Sequence, residues 1–428
     1  MQKYTKEDIF NLVEDEDVEF IRLQFTDLFG NLKNIAITVS QLEKALDNKI
    51  YFNPASIDGY VKDEDDVLFL HPDLSTFVIF PWRPQQGKVA RMICDVYRQD
   101  GTPYEGDSRY ILKQAVEEAG RKGYTFDVRT ECEFFLFQTD ENGLPTTVTY
   151  EQAGYLDLAP IDMGENARRD IIMTLEQMGF EIESSHHEDA PAQHEIDFMN
   201  DEAVAAADNM NTFKLAVKSI AKSHGLHATF MPKPKQGVSG SGMNIKMSLK
   251  KDGKSIFEPV NDDNGELSKE AMWFIGGLLK HVRSMAPVTN PLVNSYKRLV
   301  PGFEAPVQIG FGSRSRSVMV YLPHIVGEEA RLEFRSPDPA ANPYLTLSLC
   351  LQAGLKGIEE HTEPDMDAKA DMPDNLWEAI RSMEGDAFVE EVLGSKVNKR
   401  YLELKKAEWN RYRVQVSEWE INEYLYRF

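Results

Sequence analysis

The stretch Thr130-Glu131-Cys132-Glu133-Phe134-Phe135-Leu136-Phe137 reads as a buried strand carrying two carboxylates one residue apart. Residues i and i+2 of a strand share a face, so Glu131 and Glu133 point the same way. An ionised carboxylate in an apolar run is costly to desolvate. Two together require a shared proton or a cation between them. A cation is the better reading, because the chain on either side supplies further oxygen ligands.

Working outward, the sequence beyond Asp107 alternates helical and strand patterns, the mark of an α+β unit. Helices are expected over 108–122, 166–178, 201–224, 268–285 and 343–360, a strand over 180–184, and a helical tail over 375–428 holding Trp409 and Trp419. In 201–224 the stripe Ala206, Met210, Phe213, Val217 and Ile220 keeps the period of a core-facing helix. Before Asp107 the pattern is mostly strands, over 18–25, 32–39, 67–70, 77–80 and 88–97. Leu28-Phe29-Gly30-Asn31 closes a hairpin, and Ser40 caps a short helix through Leu46. Asp63 to Asp66 is read as a solvated turn. The polar segment Asp100-Gly101-Thr102-Pro103 marks a boundary between a small β-rich unit, 1–103, and a larger α+β unit, 104–428.

With 428 residues there is length for two sizeable cores, and 42% hydrophobic residues with 27% charged is a globular composition. No apolar run is long enough to span a bilayer. A net charge of -23 disfavours nucleic acid as a partner. Met1 to Tyr4 carries no signal or transit pattern, and Cys94, Cys132 and Cys350 cannot build a disulfide framework, so the expected location is the reducing cytoplasm.

Three further places concentrate polar groups. The segment 186–197 is extended and bent at Pro191, and it sets Glu188 and Glu195 beside His186, His187 and His194. It lacks the pair of histidines four apart on a helix that zinc hydrolysis uses. In Arg331-Leu332-Glu333-Phe334-Arg335, period two puts three charges on one face and two apolar residues on the other, which describes a lined cleft. Five glutamates with neighbouring arginines fit a hard divalent ion, Mg²⁺ or Mn²⁺, working on an anionic phosphate. The turn Ser239-Gly240-Ser241-Gly242-Met243-Asn244, followed by a strand over 245–249, allows close approach of a small polar substrate. It is neither a Walker loop nor a dinucleotide fingerprint.

Long segments in one order resemble the bacterial type I glutamine synthetases over nearly the whole chain: Phe77-Val78-Ile79-Phe80-Pro81-Trp82, Gly87-Lys88-Val89-Ala90-Arg91, Glu131 to Phe137, His186-His187-Glu188, Phe230-Met231-Pro232-Lys233-Pro234, Asn294-Ser295-Tyr296-Lys297-Arg298-Leu299-Val300-Pro301-Gly302 and Asp338-Pro339-Ala340-Ala341-Asn342-Pro343-Tyr344. The resemblance implies a β-grasp N-terminal domain, a catalytic domain with a curved antiparallel sheet and helices, and a homo-oligomer of two hexameric rings, a dodecamer. It implies ATP as co-substrate, two or more Mg²⁺ or Mn²⁺ ions per site, and ligation of ammonia to glutamate through γ-glutamyl phosphate. By position, Glu133, Glu188 and Glu195 would hold the first ion, and Glu131, Asn244 and Glu333 the second. Gly240, Arg298 and Arg335 would contact glutamate and phosphate. His186, Ser248, Arg316 and Arg331 would contact the nucleotide, with Arg316 and Arg335 also in the chemistry, and Glu304 would shield the intermediate.

The chain departs from the family pattern in places that bear on function. Asn244 stands where a histidine is expected, Asn53 and Val67 where ammonium-site aspartates are expected, Tyr321 for an arginine and Ser239 for an asparagine. Asp66 or Asp58 could compensate for the lost aspartates. The segment 364–373 lacks the tyrosine-bearing loop that some relatives adenylylate, so that control is not expected. Three outcomes follow: glutamine synthesis, a γ-glutamyl ligase that takes a larger amine, or a regulatory homologue without turnover.

Overall fold

The computed structural model describes residues 4–60, 67–260, 266–314, 317–323, 325–365 and 371–428. The charge run Asp63 to Asp66, with Asp66 as a compensating carboxylate, and part of 364–373 lie outside these residues.

The N-terminal unit contains α1 (Lys6–Asp15), β1 (Val18–Thr26), β2 (Leu32–Thr38), α2 (Leu42–Leu46), β3 (Ile50–Phe52), β4 (Leu68–Ile79) and β5 (Lys88–Tyr97). Its sheet runs β2-β1-β5-β4-β3, with β1 and β5 parallel and the other pairs antiparallel. Ile9 and Val13 of α1 and Leu42, Ala45 and Leu46 of α2 share one core with Ile21, Leu23, Leu70 and Met92 of the strands. This is the expected β-grasp arrangement. The short 3₁₀ turn Val39–Gln41 precedes α2, so Ser40 lies inside that turn and does not cap the helix. The two strands read over 67–80 are one strand whose register shifts between Asp73 and Val78. α1 escaped the sequence reading although its signal is present. The Thr5 hydroxyl accepts from the Asp8 N–H at 3.2 Å and Asp8 accepts from the Thr5 N–H at 2.7 Å, a capping box ahead of an i, i+4 apolar pair.

The larger unit runs α3 (Ser108–Arg121), β6 (Tyr124–Cys132), β7 (Phe134–Gln138), α4 (Glu165–Gln177), β8 (Ile182–His187), β9 (Gln193–Phe198), β10 (Asp201–Glu202), α5 (Ala203–Ser223), β11 (Leu226–Thr229), β12 (Met243–Lys251), β13 (Lys254–Ser255), α6 (Lys269–Thr289), α7 (Ser295–Arg298), β14 (Phe311–Gly312), β15 (Val320–Tyr321), β16 (Leu332–Phe334), α8 (Pro343–Glu360), α9 (Leu376–Glu384), α10 (Ala387–Leu393), α11 (Ser395–Tyr412) and α12 (Glu418–Tyr424). One sheet has the order β10-β6-β12-β16-β15-β14, with β13 on β12, and a second has the order β11-β7-β9-β8. The stretch 130–137 is therefore not one strand. It leaves the first sheet at Cys132, turns at Glu133 and enters the second at Phe134. A carboxylate is tolerable inside this apolar run because it stands where two sheets part.

Helices α3, α4 and α5 lie against the sheets, and α8 packs on α3 and α5 with α6 behind it. Where α6 meets α8, a Cβ on Gly277 would fall 2.1 Å from the Ala353 carbonyl oxygen, so only glycine permits that crossing. The two units are joined through buried charge. The guanidinium of Arg109 on α3 meets Asp73 of β4 at 2.8 Å, Asp95 of β5 at 2.7 Å and Asp208 of α5 at 2.8 Å.

Candidate active site

Antiparallel register aligns β6, β12 and β16 so that Asn244 lies opposite Glu131, and Lys246 lies between Arg129 on one side and Glu333 on the other. Alternation places these residues on one polar face, while Cys132, Met243, Ile245, Met247, Leu332 and Phe334 fill the core beneath. The charged face expected of 331–335 is therefore present and widened to three strands. Tyr321 stands opposite Glu333 on β15, at the edge of the same face.

The β8–β9 hairpin brings the second group of acids to this face. His186 Nε2 lies 2.8 Å from a Glu188 oxygen, and ligand atoms of His186, Glu188 and Glu195 all fall within 4.8 Å of one another. Glu131, Glu195 and Asp197 form a second such group, so Glu195 belongs to both. Glu133 sits beside them. Its Oε2 accepts from Gln193 Nε2 and from the Gly242 N–H, each at 2.9 Å. Burial, then the neighbouring Glu188, pushes the Glu133 carboxyl up to about 8. Burial and the carboxylates of Asp197, Glu133 and Glu188 hold Glu195 well above its usual range. Among the described residues, none of Glu133, Glu188 and Glu195 makes an ion pair with lysine or arginine. Acids so crowded, short of positive charge and ringed by oxygen donors fit a hard divalent cation.

Glu131 and Glu333 are placed differently. Glu131 forms an ion pair with Lys246 and lies 3.9 Å from Arg129, while Glu333 forms one with Arg335. Arg129 also pairs with Glu183 of β8. The side-chain Nε atoms of Arg129, Arg331 and Arg335 are buried without a partner, as is Asp197 Oδ1. Unsatisfied guanidinium donors gathered on one face are the complement of an anionic ligand such as a triphosphate.

Other expected site residues are engaged in building the cleft. Arg298 is 5% exposed and donates to the carbonyls of Ser336 at 2.9 Å and Arg335 at 3.2 Å. Gly240 offers its carbonyl to Gln193 at 3.1 Å, and a Cβ there would lie 2.3 Å from the Pro232 carbonyl oxygen. Ser248 donates to the Ala330 carbonyl at 3.3 Å, and Arg331 binds Glu329 at 3.1 Å. Glu304 is exposed on a loop at φ 57°, a left-handed conformation that costs energy for any residue with a Cβ. Asn53 lies in the N-terminal unit, where its Oδ1 accepts from the Ala55 N–H at 2.8 Å and caps a short turn. Arg316 lies outside the described residues. His186, expected at the nucleotide, stands in the acid cluster. Sequence reasoning missed Gln193, Asp197 and Lys246, which alternate with apolar neighbours as ordinary half-buried strand residues do.

Residues 105–424 match the glutamine synthetase catalytic domain, and residues 17–99 match the glutamine synthetase beta-grasp domain. The chain belongs to the glutamine synthetase family. A glutamine synthetase of Clostridium saccharobutylicum is 55% identical over 100% of both chains, and one of Staphylococcus aureus is 49% identical over 99% of both. Among solved structures, a GmaS/ADP complex has a TM-score of 0.88 at 29% identity, covering 99% of this chain and 100% of that one. A cryoEM structure of Plasmodium falciparum glutamine synthetase has a TM-score of 0.89 at 23% identity over 99% of each chain, a likeness of fold. Glutamine synthetases use ATP and divalent metal ions, and the acid cluster and arginine face fit both.

Proposed function

We propose that this chain ligates ammonia to the γ-carboxylate of glutamate at the expense of ATP, giving glutamine. The observation that carries the reading is the polar face of β6, β12 and β16, where an acid cluster short of positive charge adjoins buried guanidinium nitrogens without partners. A carboxylate does not yield an amide until its oxygen is made a leaving group. In the first step a γ-carboxylate oxygen of glutamate bonds to the γ-phosphorus of ATP and the bond to ADP breaks. In the second the nitrogen of ammonia bonds to the acyl carbon, phosphate leaves and the nitrogen gives up a proton.

A Mg²⁺ or Mn²⁺ ion held by Glu133, Glu188 and Glu195, with His186 beside them, would neutralise phosphate oxygens. Arg331 and Arg335 would present guanidinium donors to the same charge, and Ser248 would border the nucleotide. Arg298 braces the backbone under Gly240 and Gly242, where glutamate would bind. Arg316 joins the nucleotide contacts by resemblance, Glu304 is the exposed loop carboxylate that would cover the intermediate, and Asn53 would meet the acceptor by resemblance. The reading of two or more ions per site turns on Glu131, Asn244 and Glu333.

Further parts of the reading rest on other observations. The division into 1–103 and 104–428 is supported by separate cores, with Tyr104 packing across it into the smaller one and Leu28 and Phe80 into the larger. A homo-oligomer, the dodecamer of two hexameric rings, is supported by exposed apolar residues in the last segment, among them Val414, Val416, Trp419 and Leu425. No helix among the described residues is long and apolar enough to cross a membrane, and the cysteines are free, which supports a cytoplasmic enzyme.

The test is phosphate release from ATP with glutamate and Mg²⁺ or Mn²⁺, comparing ammonium with a panel of primary amines. Glutamine formation with ammonium is expected. Release with larger amines only, or no release with any acceptor, would overturn the reading.

A further inference from the structure

The two sets of carboxylates that meet around Glu131 and Glu133 differ in one respect that matters for ion binding. Glu133, Glu188 and Glu195 lack a lysine or arginine partner among the described residues, whereas Glu131 and Glu333 each have one. Lys246 occupies the middle of β12, with Glu333 as its cross-strand neighbour on β16 and Arg129 on β6. Its ammonium pairs with Glu131, and both side chains are only 12% exposed. The remaining member of the Glu131, Asn244 and Glu333 set is a neutral amide, 7% exposed.

We propose that the ammonium of Lys246 is a built-in cation for this second set, so that the chain binds no divalent ion at Glu131, Asn244 and Glu333 while Lys246 is present. Three consequences of charge and space support it. A divalent ion entering between Glu131 and Glu333 would meet Lys246, Arg129 and Arg335 at short range in a largely buried site, where repulsion is weakly screened. Lys246 stands in register between Arg129 of β6 and Glu333 of β16, on the path of an ion that bridged those two strands. Asn244 contributes an amide oxygen but no charge to offset the repulsion. A fixed ammonium beside Glu131, one of whose oxygens lies within 4.8 Å of ligand atoms of Glu195 and Asp197, lets the first ion and Lys246 share the acid cluster between them.

The inference rests on the reading of Glu133, Glu188 and Glu195 as the first ion site, and the experiment separates the two. Mn²⁺ is titrated into the full-length chain without nucleotide, with free Mn²⁺ followed by electron paramagnetic resonance. The wild-type chain is expected to hold a single tight ion per subunit, a result that needs no variant to fold. Lys246→Met, which keeps the stem and removes the charge, is expected to gain a second ion at least about 10-fold tighter than any further wild-type binding. Combined with Asn244→His it should gain more. Glu133→Gln is expected to lose the first ion. A second tight ion in the wild-type chain, or none in Lys246→Met and in the double variant, would overturn the role of Lys246. A tight ion retained by Glu133→Gln would overturn the first site instead.

Discussion

Gln193 is 1% exposed and its amide nitrogen reaches Glu133 at 2.9 Å and the Gly240 carbonyl at 3.1 Å, so one side chain aligns an ion ligand with the glycine-bearing loop. It touches the ligand and not the ion. Loss of such an orienting partner typically weakens metal binding on the order of 10- to 100-fold. Gln193→Ala is accordingly expected to weaken Mn²⁺ binding by about that factor, read by titration of the metal-free chain. Unchanged affinity would remove Gln193 from the site. The glutamates were legible in the sequence because a charge in an apolar run has few explanations. Gln193, Asp197 and Lys246 were not, because a polar residue alternating with apolar ones has a bland explanation until a partner strand is placed beside it. Asn53 was legible as a substitution, and the structure adds its local work as a turn cap.

At the scale of elements, Asp386 shows how helices are tied together. Its Oδ1 caps α10 by accepting from the Phe388 N–H at 3.0 Å, and its Oδ2 binds Ser284 and His281 of α6, each at 2.7 Å. Burial acts to raise its pKa, but His281, the Phe388 N–H and Ser284 outweigh it and hold the carboxyl below its usual range. For a depressed carboxyl the stabilisation is present above the unfolded pKa, about 4, and is lost as pH falls through the folded value. Asp386→Ala is thus expected to lower stability by about 1–2 kcal/mol at neutral pH, measured by urea unfolding. The gap between variant and wild type should close below about pH 4, and a gap that widened there would contradict the assignment. Helices were the most legible elements, since α3, α4, α5, α6 and α8 all lie where the apolar period put them. The break at Glu133 was not, because Phe134 to Phe137 continues an apolar run whose residues fit a buried strand in either sheet.

At the scale of the whole molecule, Arg109 holds the N-terminal sheet to the catalytic unit. It is 3% exposed and faces Asp73, Asp95 and Asp208, and Asp208 also accepts from the Tyr344 hydroxyl at 2.6 Å. Removing one partner of a buried ion network leaves uncompensated charge, at a cost of roughly 3–5 kcal/mol. Arg109→Ala is expected to lose about that much in chemical denaturation. A loss below about 1 kcal/mol would mean that the aspartates repair themselves with water and Lys113. The sequence by itself determined the family, the α+β class, the helices and the glutamates, because periodicity and buried charge are local or repeated signals. The tertiary structure alone decided which carboxylates lack a cation and which already have one. That depends on β6, β12 and β16 lying in register, and no spacing along the chain reveals that Lys246 stands between Arg129 and Glu333 or that Glu131 and Glu133 end in different electrostatic surroundings.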